Sequence, residues 1–300
     1  MARMNELPMS SAILKWDVRQ RLKLLESTLL LSGWVRTQAL TDTFGISRAQ
    51  ASKDFTVYQT LRPGNLVYNK SRKYYEASAD FEPLLLTGKT SELLDLLGAS
   101  VSGDGPVLAL TAQVPSVELL KPLDREVDLK VFRAISMAAC HHTKLRLLYQ
   151  SMSRPEPSEL TLSPHTLVFS DFRWHVRAFS DSHGEFRDFV LARVRGVPES
   201  LDESGHDHES DQVWNTWVRM VIAPHPKLPP AQRTIIAEDY GMVNECSERQ
   251  VRAALLPYAL RLMQIEPSRE HPDPKVQQIV LANQDELKAW LWPGQSLTST

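Results

Sequence analysis

The residues best placed for chemistry in this 300-residue chain are arginines set at strand spacing. In Phe172-Arg173-Trp174-His175-Val176-Arg177-Ala178, apolar and basic residues alternate strictly. A period of two sends Phe172, Trp174, Val176 and Ala178 towards a core and Arg173, His175 and Arg177 onto the opposite surface. Arg187, Arg193 and Arg195 recur at odd-spaced positions shortly afterwards and can join that surface. Guanidinium forks match phosphate and carboxylate groups bidentately, so the row suggests an anionic ligand. The alternative is a solvated strand face whose arginines pair with Asp171, Asp181 and Asp188. Both readings stay open at this level. Catalysis has less support. Ser163-Pro164-His165 carries no nucleophile motif, and G-x-S-x-G, H-E-x-x-H, Walker A and G-x-G-x-x-G patterns are missing. His141 and His142 are adjacent, and His206 and His208 sit in a polar stretch without positioned partners, so no metal, cofactor or enzyme activity is expected.

A second set of polar residues lies near the N-terminus. Ser47-Arg48-Ala49-Gln50 fits a capping box that opens a helix. On that helix Ala51, Phe55 and Tyr58 share one face, while Arg48, Ser52, Thr56 and Gln59 form an opposite polar stripe flanked by Gln50 and Lys53. In a recognition helix, Arg48 suits guanine and Gln50 suits adenine in the major groove, each bidentate pair giving about 1–3 kcal/mol of discrimination. Lys53, Lys70, Arg72 and Lys73 suit phosphates, which fix register without reading sequence. A three-helix packing module whose polar face only meets water is the plainer alternative.

These side chains need a frame, and the sequence supplies one. Val18, Leu22, Leu25 and Leu29 recur at helical spacing, and Gly33 closes that helix. A second short helix is expected over about 37–44, then the Gly45-Ile46-Ser47 turn, then the third helix up to Pro63-Gly64. Leu66-Val67-Tyr68 and Tyr74-Tyr75 read as a hairpin with a basic tip. Two short helices joined by a glycine turn and followed by such a hairpin are the parts of a winged helix-turn-helix. Further along, a helix at about 132–139 precedes four expected strands at 144–151, 160–169, 172–179 and 186–195, the cadence of a small barrel or bent sheet. Residues 201–211 read as a polar linker, 213–222 as a strand, and 229–240 and 247–263 as helices. Between the first two modules, a helix at 91–97, a turn at 103–106 and a connector over 115–122 are expected. The resulting domains are a winged helix over 1–80, a connector over 81–125, a middle module over 126–200 and a C-terminal domain over 211–300.

Composition limits the classes. Hydrophobic residues at 42% and charged residues at 23% are globular values, which argues against a disordered chain. No apolar run approaches the roughly 20 residues of a membrane helix, and Met1 to Ser11 lack a signal-peptide pattern. Cys140 and Cys246 are too few for a disulfide framework or a cysteine zinc site. The expectation is a soluble, cytoplasmic protein. The net charge of −2 hides a basic head: residues 1–75 hold twelve Lys/Arg against five Asp/Glu. Such asymmetry suggests a module that faces polyanions.

Three groups of residues also resemble WYL-domain transcriptional regulators, specifically the BrxR/CapW-like subgroup found with bacterial phage-defence systems. Phe44-Gly45-Ile46-Ser47, Gln50-Ala51-Ser52-Lys53-Asp54, Pro63-Gly64-Asn65-Leu66 and Lys73-Tyr74-Tyr75 are similar to its winged helix. Ser163-Pro164-His165, Arg173 to Ala178 and Phe186 to Arg193 resemble its WYL module. Pro224-His225-Pro226, Asp239-Tyr240-Gly241-Met242 and Val251-Arg252 resemble its C-terminal domain. The resemblance implies an α+β protein with an N-terminal winged helix-turn-helix, a central Sm-like β-barrel and a small C-terminal α/β dimerisation domain. It implies a ligand pocket whose matching positions are Tyr149, Ser151, His165, Arg173, His175, Arg177, Arg187 and Arg193. The signature Trp-Tyr-Leu is here Trp174-His175-Val176, Phe172 stands where a turn glycine is expected, and Glu159 stands near a commonly basic position.

The combined expectation is a homodimeric repressor on an inverted-repeat, double-stranded DNA operator, with no membrane partner. An anionic nucleotide or oligonucleotide effector in the WYL module would release it, and a phage-defence operon would be its target. The alternatives are a constitutive DNA-binding scaffold without ligand control, or a nucleic-acid-processing enzyme, for which no carboxylate cluster outside 203–211 offers metal sites.

Overall fold

In the computed structural model the described residues are 14–95 and 125–291, except 154, 155, 171, 268 and 270, together with 118, 120 and 123. They fall into two compact units, divided between Lys121 and Pro122. The expected turn at 103–106, and most of the expected connector over 115–122, lie outside the described residues; 90–95 are helical.

In the first unit, helix α1 (Trp16–Ser32) ends where Gly33 adopts φ 76° and donates its N–H to the Leu29 carbonyl. That left-handed conformation costs little only for glycine. Strand β1 (Trp34–Val35) leads to α2 (Thr37–Phe44), which Gly45 closes in the same way at φ 63°. Helix α3 (Arg48–Leu61) starts at Ser47, whose hydroxyl accepts the Gln50 N–H at 3.1 Å. The reciprocal half of a capping box does not form, because the Gln50 side chain donates to Asp54 instead. Strands β2 (Leu66–Asn69) and β3 (Tyr74–Ala77) make the wing, in a sheet ordered β1-β3-β2. Leu22, Leu25 and Leu29 from α1 meet Leu40, Ala51, Phe55 and Tyr58 in one core.

Two carboxylates are buried in this core. Glu26, fully buried on α1, accepts the backbone N–H groups of Leu84, Leu85 and Leu86 at 2.6–2.7 Å and the Tyr58 hydroxyl at 2.9 Å. Asn65 completes the group by donating to the Tyr58 hydroxyl and to the Glu82 carbonyl. Residues 84–86, read from sequence as part of a connector, therefore belong to the first core. Asp54 on α3 accepts a two-point contact from Arg21 on α1, at 2.7 and 3.3 Å.

In the second unit, α4 (Leu129–His141) is capped by the Asp128 side chain and buries Val131, Ile135 and Ala138, spaced four and three residues apart. It covers a five-stranded antiparallel sheet: β4 (Thr143–Tyr149), β5 (Ser158–Ser170), β6 (Arg173–Ser180), β7 (Glu185–Val190) and β8 (Val194–Glu203). The order is β7-β6-β5-β4-β8, and no β7–β8 pairing closes a barrel among the described residues. The expected strand over 186–195 is broken by a 3-10 turn at Leu191–Arg193, so five strands replace the four read from sequence. Phe172 does not enter the core: it is 55% exposed at φ 56°, in the turn position that favours glycine.

Residues 204–211 are a packed strap, not a free linker. His206 stacks on Phe179 at 3.6 Å, and Asp211 is 1% exposed. Asp211 caps the short α5 (Gln212–Asn215), which replaces the first part of the expected strand. Strand β9 (Trp217–Pro224) is central in the sheet β10-β9-β11, with β11 spanning Ile279–Leu281. Helix α6 spans Pro230–Asp239 and α8 spans Gln284–Leu287. The helix expected over 247–263 is instead strand β10 (Ser247–Arg252), a 3-10 turn, and α7 (Leu256–Leu262). Pro257 explains the correction: it lacks an N–H and fits a first helical turn, not a helix interior. No helix among the described residues is long and apolar enough to cross a membrane.

Replacing Glu26 by alanine strands three buried amides and a phenol. Glu26→Ala is expected to destabilise the first unit by about 3 kcal/mol, since hydrogen bonds to a charged group are the strong ones. Urea denaturation followed by circular dichroism measures this; an unchanged midpoint would show that water replaces the carboxylate without cost.

Candidate nucleic-acid interface and arginine cluster

On α3 the packing face holds Ala51, Phe55 and Tyr58, all buried, and this turns Arg48, Ser52, Lys53 and Thr56 outward into solvent. Two of the expected DNA-contacting residues are partly committed elsewhere. The Gln50 amide is half-buried and donates to Asp54 at 3.1 Å, and the Thr56 hydroxyl donates to the Ser52 carbonyl at 3.1 Å. Lys70, Arg72 and Lys73 are exposed on the wing, where the Asn69 side-chain oxygen accepts the Arg72 N–H at 3.0 Å and shapes the turn. Lys73 sits at φ 54°.

Cations in this unit divide into two sets. Arg21, Lys23 and Arg62 have carboxylate partners in Asp54, Glu92 and Glu82. Arg48, Lys53, Lys70, Arg72 and Lys73 have no ion pair to any described residue, and neither do Lys15, Arg19, Arg36 and Lys89. The side carrying α3 and the wing is thus left electropositive.

The arginine row of β6 is not solvated. His175 is 4% and Arg177 6% exposed. Arg177 donates through Nε to Asp211 Oδ2 at 2.7 Å, through Nη2 to Asp211 Oδ1 at 3.2 Å, and through Nη1 to Asp188 Oδ1 at 3.4 Å. Asp188 was foreseen as an arginine partner; Asp211 was not, although an Asp just before a short helical segment is an N-cap signal. Asp181 instead pairs with Lys144 at 3.1 Å, and Asp171 lies outside the described residues. His165 joins the group, with Nε2 3.3 Å from Asp211 and Nδ1 2.8 Å from the Thr166 hydroxyl. Its ring lies edge-on to Phe186 and Trp214. Tyr258 of α7 donates its hydroxyl to Asp188 at 3.0 Å, and its ring meets His175 edge-on at 5.0 Å. Elements β5, β6, β7, the strap and α7 therefore converge on one guanidinium.

The remaining pocket positions do not all gather there. The Tyr149 ring is buried in the core, and its hydroxyl accepts the Val190 N–H at 3.1 Å. Ser151 lies beyond the end of β4, beside the Ser153 hydroxyl at 3.1 Å. Arg187 is exposed and pairs with Glu185. Arg173 is half-buried at the start of β6. Arg193 is half-buried in the 3-10 turn, with no ion pair to a described residue.

Burial opposes ionisation of Asp211, but His165, Arg177 and the Trp214 amide outweigh it and hold the carboxyl well below the usual carboxylate range. For Asp188 the balance reverses: burial outweighs Arg177 and pushes the carboxyl up. A depressed folded-state pKa contributes stability that is present above the unfolded value of about 4 and is lost as pH falls below it. Asp211→Asn is therefore expected to cost about 3 kcal/mol near pH 7, and the gap to wild type should narrow between pH 4 and pH 2. Asp188 shares Arg177 with Asp211, so the difference reports the pair and not Asp211 alone. Denaturation at stepped pH checks this; a gap independent of pH would contradict it.

Comparison with known proteins matches three separate stretches of the chain. The BrxR transcriptional regulator winged helix-turn-helix domain matches residues 17–99, the WYL domain residues 130–198, and the BrxR transcriptional regulator C-terminal dimerization domain residues 217–287. The DNA-binding transcriptional repressor CapW of Escherichia coli (strain KTE188) is 35% identical over 285 residues, covering 92% of this chain and 93% of the relative. The repressor of the same name from Stenotrophomonas maltophilia is 32% identical over 94% of each chain. Among solved structures, the proteasome accessory factor B/C of Arthrobacter aurescens aligns with 92% of this chain and 46% of its own, at 15% identity and a TM-score of 0.31, so this chain spans about half of it. Both of these curated relatives are DNA-binding transcriptional repressors. With a relative this similar over nearly its whole length, the chain belongs to the CapW family of BrxR-like, WYL-domain transcriptional repressors.

Proposed function

We propose that this protein represses transcription as a homodimer that places two winged helices on the half-sites of an inverted repeat. The observation that carries the reading is a set of exposed cations on α3 and the wing, Arg48, Lys53, Lys70, Arg72 and Lys73, none ion-paired to a described residue, whereas Arg21, Lys23 and Arg62 have carboxylate partners. Arg48, at the exposed start of α3, reads base edges; the wing cations meet phosphates. A two-fold dimer sets half-site centres roughly 34–36 Å apart or a multiple of that. The matched C-terminal dimerization domain supports the homodimer.

The effector is an anionic, nucleic-acid-derived ligand of the WYL module, and the regulated operon is one of phage defence. Because Arg177 is already held by Asp188 and Asp211, an anion that takes Arg177 must displace a carboxylate. Displacing Asp211 uncaps α5, which leads directly into β9 and the dimerization domain. A 100-fold loss of operator affinity requires about 2.7 kcal/mol of coupling between the two sites.

Gel-shift titration against DNA from the protein's own upstream region tests the reading. Arg48→Ala should weaken specific binding about tenfold or more and relax preference at one base pair per half-site. A wild-type protein that binds this DNA no better than competitor would count against it. Arg193→Ala should blunt effector-driven release without changing operator affinity; unaltered release would favour the scaffold reading, in which the WYL module makes contacts but senses nothing.

A further inference from the structure

Arg36 was not singled out by its sequence context, yet its surroundings are unusual. It follows β1, which pairs with β3 through Trp34↔Glu76 and Val35↔Tyr75. Extending that antiparallel register by one residue sets Arg36 opposite Tyr74, the first strand residue after the basic wing turn. The contacts agree. The Arg36 guanidinium carbon lies 5.2 Å from the Trp34 ring centre and 5.8 Å from that of Tyr74, and the two rings stack at 4.5 Å. From the other side, Arg72 Nη1 donates to the Tyr74 hydroxyl at 2.9 Å. Two guanidinium groups thus converge on one phenol.

Neither arginine is ion-paired to a described residue. Glu76 of β3 accepts from Asn69 at 2.9 Å, and its charge also favours the Arg72 guanidinium without pairing with it. Arg36 is also the N-cap of α2, an eight-residue helix with no side-chain cap bond and no acidic residue in its first turn. The positive end of that helix therefore lies at Arg36, with no acidic side chain in its first turn. Ring faces hold the Arg36 head in place, which lowers the entropy cost of an ordered contact.

We propose that Arg36 and Arg72, braced on the Trp34–Tyr74 stack beside the α2 N-terminus, form a clamp for one DNA backbone phosphate in each half-site. The clamp rests on the DNA-binding reading above and adds to it a contact that sets docking register without reading sequence. It also joins the base of the wing to the first helix of the helix-turn-helix through a shared anion. Arg36 alone could be a cation–aromatic brace for the wing, and the test separates the two.

The measurement is operator binding by the full-length wild type, Arg36→Ala, Arg36→Lys and Arg48→Ala over 50–200 mM salt, with phosphate-ethylation interference on the same operator. In Arg36→Ala, the slope of log affinity against log salt should fall by about one phosphate contact, so affinity should drop three- to fourfold less across that range. Ethylation of one phosphate per half-site should interfere with the wild type and cease to interfere with Arg36→Ala, with base preference unchanged. Arg36→Lys should keep the salt slope, because the charge remains. If Arg36→Ala leaves both slope and ethylation pattern intact while Arg48→Ala still loses base preference, the clamp is wrong and the DNA reading stands. If no variant and no wild type prefers operator DNA, the DNA reading falls and takes the clamp with it.

Discussion

A carboxylate inside a protein must have its oxygens fully engaged, and in the first unit that requirement organises everything around Glu26. With no exposure to water, this side chain is held by three consecutive amides and a phenol. An isolated buried carboxylate would cost several kcal/mol. Hydrogen bonds offset that cost only if α1, α3 and residues 84–86 all hold their places together. The Arg21–Asp54 pair applies the same rule between α1 and α3. Leucine burial supplies the larger stabilisation, but it is non-directional. The two carboxylates fix which way α3 faces, and so which side chains reach solvent.

The second unit uses the rule differently. Asp211 and Asp188 bracket Arg177, and the three charges are drawn from the strap, β7 and β6. Burial pushes both carboxyls up; His165, Arg177 and the Trp214 amide outweigh it at Asp211, while at Asp188 burial prevails over Arg177 and Tyr258. The group is a poor candidate for a rigid core element. A dry apolar core would serve at least as well for stability; what the charges add is direction, since Asp211 both pairs with Arg177 and caps the helical turn that leads into β9.

Much of the first unit was legible in sequence because its signals are local. Gly33 and Gly45 mark left-handed helix ends, Ser47 marks a cap, and Pro63-Gly64 marks a stop, each within a few residues of the structure it dictates. The errors came where partners are distant. Ser247 to Arg252 has a composition compatible with a helix and becomes a strand because β9 pairs with it along its whole length. Residues 201–211 look solvated in composition, yet three finish β8 and Asp211 is drawn inward by an arginine 34 positions earlier. The arginine row itself was seen, but alternation shows only that Arg177 and His175 share a face, not what covers it. Glu26 offered one unread signal: an acid inside the apolar stripe of an amphipathic helix.

The open ladder of the middle sheet has a consequence for the protein at high concentration. Among the described residues, strands β7 and β8 each present a row of main-chain groups with no neighbouring strand. Such rows are templates on which another molecule can add a strand. Here β7 carries Glu185, Arg187 and Asp188 within four residues, while β8 carries Arg195, Glu199, Asp202 and Glu203 and meets β4 with two register shifts. Charge and irregular register make both borders hostile to edge-to-edge growth. Self-association is thereby left to the C-terminal domain, and the middle sheet stays free to vary its apolar content without seeding aggregates.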